Sequence, residues 1–131
     1  MKALITTVPF GSKNSLPLEM LENAGVEYLI NPTGNKLTEE ALANMVSDFD
    51  IIIAGTEPIT KKVMESAKNL KLISRVGVGL DNVDLTEAKS RGVTVCYTPD
   101  APAPAVAELT IGLFLSLLRS IHISNFELHK G

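Results

Sequence analysis

A chain of 131 residues and 14.1 kDa has room for one domain, or for one domain and part of another. A hydrophobic share of 45% and a mean hydropathy of +0.20 exclude a disordered, collagen-like or mucin-like polypeptide. Twelve Lys and Arg against fifteen Asp and Glu leave a net charge of −3, which offers no general attraction for nucleic acid or an anionic membrane. The one cysteine, Cys96, excludes an internal disulfide and has no Cys/His neighbours with which to bind a metal, so no metal site is expected.

Lys2 to Val8 is a short apolar, β-branched run that reads as a buried strand. It is too short for a signal-peptide core and has no small-residue cleavage site after it. Asn14 to Ala24 follows as a short helix, with Pro17 in its first turn and Gly25 just past its end. Val26 to Ile30 is a second strand, closed by the Asn31-Pro32-Thr33-Gly34-Asn35 turn cluster. Thr38 caps a helix through Val46, with Glu39 and Glu40 well placed for its dipole.

Asp50 to Ala54 is apolar without alternation, so both faces of this third strand are expected to be covered. Thr60 caps Lys61 to Ala67, whose lysines form a solvated face together with Lys68. Leu70 to Val76 is a fourth strand, ended by Gly77-Val78-Gly79. Asp84 and Glu87 have capping-box spacing and open a helix that stops before Gly92. Val93 to Tyr97 is the fifth strand, with Cys96 expected as a buried small hydrophobe. Strands alternating with short helices in this rhythm specify an open parallel α/β sheet with right-handed crossovers.

Beyond Tyr97 the character changes. Pro99, Pro102 and Pro104 make a stiff connector into the longest helical pattern, Ala105 to about Phe126. Its apolar residues, Val106 to Ile121, surround the helix rather than forming a stripe, which implies burial on all sides. One small sheet with short crossover helices does not enclose such a helix, so a second domain or a partner chain is expected to complete it. The apolar core of this segment, Leu109 to Leu118, is roughly half the ~20 residues that a membrane span needs. A soluble protein of a reducing compartment, most simply the cytoplasm, is the resulting expectation.

Gly77-Val78-Gly79-Leu80-Asp81-Asn82 lies between a strand and a helix, as a dinucleotide-binding loop does, but Asn82 stands where the third glycine is required. Two readings remain open from the residues themselves. One is a nest of exposed backbone N–H groups that grips a small anion such as a substrate carboxylate; the other is a tight turn with no ligand. His122 and His129 read as exposed helix residues, and Asp84 as a cap rather than as half of a carboxylate pair with Asp81. A phospho-acceptor signalling domain of similar topology needs acidic residues after the first and third strands. Thr6-Thr7-Val8 and Ala54-Gly55 stand there instead, which excludes it.

The stretch from Leu70 to Leu85, LKLISRVGVGLDNVDL, resembles the hallmark substrate-domain segment of the D-isomer-specific 2-hydroxyacid dehydrogenases, in their phosphoglycerate-dehydrogenase-like branch. Ala88 to Val93, Tyr97-Thr98-Pro99, Val106 to Thr110 and Leu117-Leu118-Arg119 continue the resemblance in order and at the family's spacing. It implies a flavodoxin-like substrate-binding domain over residues 1–98. Residues 99–131 would be a proline-rich crossover and long helix leading into a Rossmann domain for NAD or NADP that this chain lacks. The family's catalytic arginine, glutamate and histidine would lie further on, so no catalytic residue is assigned here, and the chain alone is expected to be inactive.

Carried over by position, Val78 and Gly79 resemble the amides that hold the substrate carboxylate, and Gly77 shapes their turn. Gly55, Thr56 and Glu57 match the loop lining the cleft, and Val106 matches a position near the nicotinamide. Phosphoglycerate enzymes of this branch carry a basic residue around Ala54 to Glu57, and this sequence has none. The implied ligand is a small 2-hydroxy or 2-oxo carboxylic acid, without nucleic acid or membrane partners. Self-association, as a homodimer or otherwise, is expected through the 105–121 helix. A reading of another class is a non-catalytic α/β binding or dimerisation module with the same fold.

Overall fold

The computed structural model describes residues 1–130. They divide into two units, Met1–Thr98 and a second from Pro99 onward.

The first unit is a five-stranded sheet of β1 (Lys2–Ile5), β2 (Glu27–Ile30), β3 (Ile51–Ala54), β4 (Leu72–Arg75) and β5 (Thr94–Tyr97). Every neighbouring pair is parallel, and the order across the sheet is β2-β1-β3-β4-β5. This is the flavodoxin-like doubly wound arrangement, in which the chain leaves β1 to one side and then returns to build outward on the other. The strand and helix order expected from the sequence is therefore observed, with the strands trimmed by one to three residues at their ends.

Helices α2 (Glu39–Met45), α3 (Lys61–Ser66) and α4 (Leu85–Ser90) cover one face, packing Leu42, Val63, Met64 and Ala88 against Leu4, Ile52 and Ile73. Helix α1 (Leu16–Asn23) covers the other, where Leu18 and Leu21 meet Ala3, Ile5, Ile51 and Ile53. All four residues of β3 are buried, as its unalternating sequence requires. One expectation fails at the sheet's edge: Cys96 is exposed. It alternates with Val95, which packs on the core beneath α2–α4, and so points to the opposite face, where α1 reaches β1 and β3 but not β5.

The second unit is helical. The single long helix expected from Ala105 to Phe126 is instead two, α5 (Ala103–Leu118) and α6 (Ile121–His129), bent by 63°. Ser120 sits in the left-handed region with φ of 51°, and its N–H tightens back onto the Leu117 carbonyl at 3.1 Å, ending α5. The break falls at Arg119-Ser120, where neither Gly nor Pro marks it and apolar residues resume at once with Ile121 and Ile123, which is why the hydropathy pattern did not disclose it. The apolar faces of α5 are exposed, as expected of a helix that this sheet does not enclose: Leu109, Phe114 and Leu117 are 64%, 60% and 68% exposed. Among the described residues no single helix is long and apolar enough to cross a membrane.

Candidate functional site

The carboxyl ends of β1 and β3 part where the chain reverses direction across the sheet, the place where doubly wound folds bind ligands. A cleft of about 260 Å³ lies there, lined by Thr6, Thr7 and Val8 after β1, Gly34 and Lys36 after β2, Gly55, Thr56 and Glu57 after β3, and Val76 after β4.

Its walls are fixed by hydrogen bonds within the loops and between loop and strand. Glu57 is 2% exposed; its Oε1 accepts from the Gly55 N–H at 2.9 Å and from the Thr6 hydroxyl. Thr6 in turn pairs its own N–H with the Ile53 carbonyl at 2.9 Å, tying the cleft floor to the sheet. Buried Asn31 donates to the Asn35 carbonyl at 2.8 Å and accepts from the Thr33 N–H at 3.0 Å, folding the loop that carries Gly34 and Lys36.

The glycine turn lies next to this cleft, one residue beyond Val76. The Gly77 N–H bonds to the Arg75 carbonyl at 3.1 Å, and the Gly77 carbonyl accepts from Thr98 at 3.0 Å. The Val78 and Gly79 N–H groups donate to no acceptor among the described residues. Gly77 has φ of +141°, a conformation that L side chains rarely adopt, and the Arg75 guanidinium occupies the space a side chain there would need. Arg75 Nη1 donates to the Val76 carbonyl, and its buried Nε has no partner. Two free N–H groups following a turn against which a guanidinium is folded give this end of β4 a local positive potential. One group opposes it: Asp81 Oδ1 would lie 2.7 Å from a Cβ on Gly79.

Asn82 stitches the two halves together. Its Nδ2 donates to the Glu57 carbonyl at 2.8 Å and to the Gly55 carbonyl at 3.3 Å. The Ile59 N–H reaches the Asn82 carbonyl at 2.8 Å, and the Asp84 N–H reaches the Ile59 carbonyl at 3.0 Å. The residue that breaks the dinucleotide fingerprint is thus the strut that fixes the cleft loop against the glycine turn. The helix that follows, α4, begins only at Leu85 and has six residues. These residues do not fit a dinucleotide pyrophosphate, and no cofactor step is assigned to them.

Gly55, Thr56 and Glu57 thus line one cleft, with Gly77, Val78 and Gly79 on the adjoining turn. Val106 belongs to the second unit, where it is exposed in the first turns of α5. Sequence reading missed Thr6, Thr7, Lys36 and Arg75. Lys36 supplies near the cleft the positive charge that the Ala54–Glu57 loop lacks, but it comes from the loop after β2, and only the strand order brings that loop beside β3. Arg75 has a local signal, its place two residues before the positive-φ glycine. The Asp81–Asp84 pair is no carboxylate dyad: Asp84 accepts the Glu87 N–H at 2.9 Å as a helix cap. His122 and His129 are exposed, as expected.

Comparison with known proteins decides the family. The model of the D-isomer specific 2-hydroxyacid dehydrogenase catalytic domain matches residues 8–125. The chain belongs to the D-isomer specific 2-hydroxyacid dehydrogenases. Within that family it is 38% identical over 117 residues to the hydroxypyruvate reductase of Thermotoga maritima, covering 85% of this chain and 38% of the relative. It is 41% identical over 97 residues to the D-3-phosphoglycerate dehydrogenase of Methanocaldococcus jannaschii, covering 72% of this chain and 18% of the relative. The NAD+-bound 3-phosphoglycerate dehydrogenase of Entamoeba histolytica superposes with a TM-score of 0.79 at 29% identity, over 88% of this chain and 38% of that one. The chain therefore spans well under half the length of these 2-hydroxyacid dehydrogenases.

Proposed function

We propose that this chain is the substrate-binding part of an NAD- or NADP-dependent D-2-hydroxyacid dehydrogenase, which interconverts a 2-hydroxy acid and its 2-oxo acid. The observation that carries the reading is the pair of undonated N–H groups, Val78 and Gly79, presented beside Arg75 at the carboxyl end of a doubly wound sheet. In this reading they receive the substrate carboxylate, Gly77 gives the turn its shape, and Gly55, Thr56 and Glu57 line the space for the rest of the acid. What the chain contributes is orientation: a fixed carboxylate leaves C2 at a defined place for hydride transfer.

Residues 1–98 form the substrate domain in this proposal, and residues 99–131 the crossover toward a nucleotide-binding domain. Val106 faces the nicotinamide in the assembled enzyme. The polypeptide of 131 residues alone is expected to transfer no hydride, since its glycine loop does not fit the pyrophosphate of a dinucleotide. The exposed apolar faces of α5 support self-association of this chain, because an apolar surface of that extent is unfavourable in water. A cytoplasmic, reducing setting is part of the same reading, supported by a lone and exposed thiol at Cys96.

The test is a heteronuclear NMR titration of the chain with D-lactate. Saturable shifts at the Val78 and Gly79 amides are expected, with no oxidation of D-lactate when NAD+ or NADP+ is added. Binding with those two amides unmoved would favour the alternative of a non-catalytic module, as would turnover by groups elsewhere in the chain overturn the assignment of orientation alone.

A further inference from the structure

The cleft holds a group that carboxylate binding at the glycine turn leaves unused. Both hydrogen bonds of the buried Glu57 carboxylate go to Oε1, from Thr6 and Gly55, so Oε2 is left to the cleft it lines. The fold makes room for this oxygen. A Cβ on Gly55 would lie 2.9 Å from Oε2, and Asn82 holds the Glu57 carbonyl at 2.8 Å from the other side. An ionised carboxylate only accepts hydrogen bonds. A hydroxyl arriving there finds a partner, whereas a phosphate or second carboxylate brings acceptor against acceptor and like charge against like charge away from bulk water.

Lys36 pulls the other way, but it is exposed and free of any ion pair among the described residues, so solvent and salt screen it. Glu57 is fixed and buried. Building on the reading that Val78 and Gly79 hold the acid's carboxylate, we propose that Glu57 sets the substrate class. Its Oε2 accepts a hydrogen bond from a hydroxyl on C3, so the cleft selects short 2-hydroxy and 2-oxo acids that end in a hydroxymethyl group and disfavours those that end in phosphate.

Three acids that differ only at C3 test this: D-lactate, D-glycerate and D-3-phosphoglycerate, titrated into the chain with the Val78, Gly79 and Thr56 amides as readouts. D-glycerate is expected to bind about tenfold more tightly than either of the others, the usual worth of a hydrogen bond to a charged group. In Glu57→Gln the amide oxygen still accepts from Thr6 and Gly55 while its NH₂ faces the cleft. The preference for D-glycerate over D-3-phosphoglycerate should then fall to about parity, with the melting temperature checked alongside. If the wild-type chain binds D-3-phosphoglycerate most tightly and Lys36→Gln abolishes that, Lys36 sets the class and the proposal is wrong. Unchanged ratios in Glu57→Gln would reduce Glu57 to a latch between loop and strand. Equal affinities with shifted Val78 and Gly79 amides would overturn this inference and leave the carboxylate reading standing; shifts from none of the acids would overturn both.

Discussion

Gly55 lacks a side chain because the space is taken. A Cβ there would meet Glu57 Oε2 at 2.9 Å, the Thr7 Cβ at 3.2 Å and the Thr7 Cα at 3.3 Å, and the last belongs to backbone that cannot swing aside. Gly55→Ala is expected to lower unfolding free energy by about 1–3 kcal/mol, the usual cost of overpacking, measurable by urea denaturation. At the glycine turn the opposing charge is Asp81. Asp81→Asn should bind D-lactate about twofold more tightly at low salt, with the gain shrinking as salt is added, since the side chain is exposed and screened. A weaker affinity in this variant would mean that Asp81 supports the turn rather than opposing the anion. The turn itself was legible in the sequence because two glycines close a strand there. The charges around it were not, because Arg75 and Asp81 act through where their side chains fold back, and spacing along the chain carries no such information.

Among the elements, three N-caps were readable and two work as side-chain caps. Thr38 accepts the Ala41 N–H at 3.2 Å, and Asp84 accepts that of Glu87 at 2.9 Å. Thr60 holds the capping position of α3, but its hydroxyl donates to Glu39 on α2 and makes no cap. Asp84→Ala should therefore cost about 1 kcal/mol, and Thr60→Ala less than half of that, by the same denaturation assay. The capping box at Asp84 is also only half formed: its N–H goes to the Ile59 carbonyl, and the Glu87 carboxylate turns to Arg91 Nε at 2.6 Å. In each case the residue type correctly marks a helix start, while the partner is chosen by a neighbouring element that sequence does not place.

At the amino end of β3 the Asp50 carboxyl is held below its ordinary value of 3.8, first by the Lys71 ammonium at 2.7 Å and then by the Lys2 N–H at 2.9 Å. A lowered folded value means that the unfolded chain takes up the proton first as pH falls. The contribution of Asp50 is thus complete above about pH 4 and lost as pH drops through the folded value. The stability difference between wild type and Asp50→Asn should be constant near neutrality and close toward strongly acidic pH. A difference that survives there would assign Asp50 a role independent of its charge.

For the molecule as a whole, the alternation of apolar runs and caps was enough to give a parallel, doubly wound sheet, and the covered faces of β3 were legible in its composition. Strand order was not, and it is strand order that sets Thr6, Lys36 and Glu57 around one cleft. The apolar circumference of Val106 to Ile121 called for a cover from a second domain or partner chain, and its residues are exposed here in keeping with that. This surface leads us to expect concentration-dependent association of the chain in light scattering, and substitution of Leu109, Phe114 and Leu117 by Gln should shift the particles toward monomer. Association unchanged by those substitutions would move the contact to another surface.

In the function proposed above, the turn closing β4 receives a carboxylate. A crystal structure of the chain grown with D-lactate tests this directly. It should show the lactate carboxylate accepting from the Val78 and Gly79 N–H groups at about 3 Å, with the rest of the molecule directed toward Thr56 and Glu57. D-lactate bound elsewhere while both N–H groups remain turned to water would contradict it.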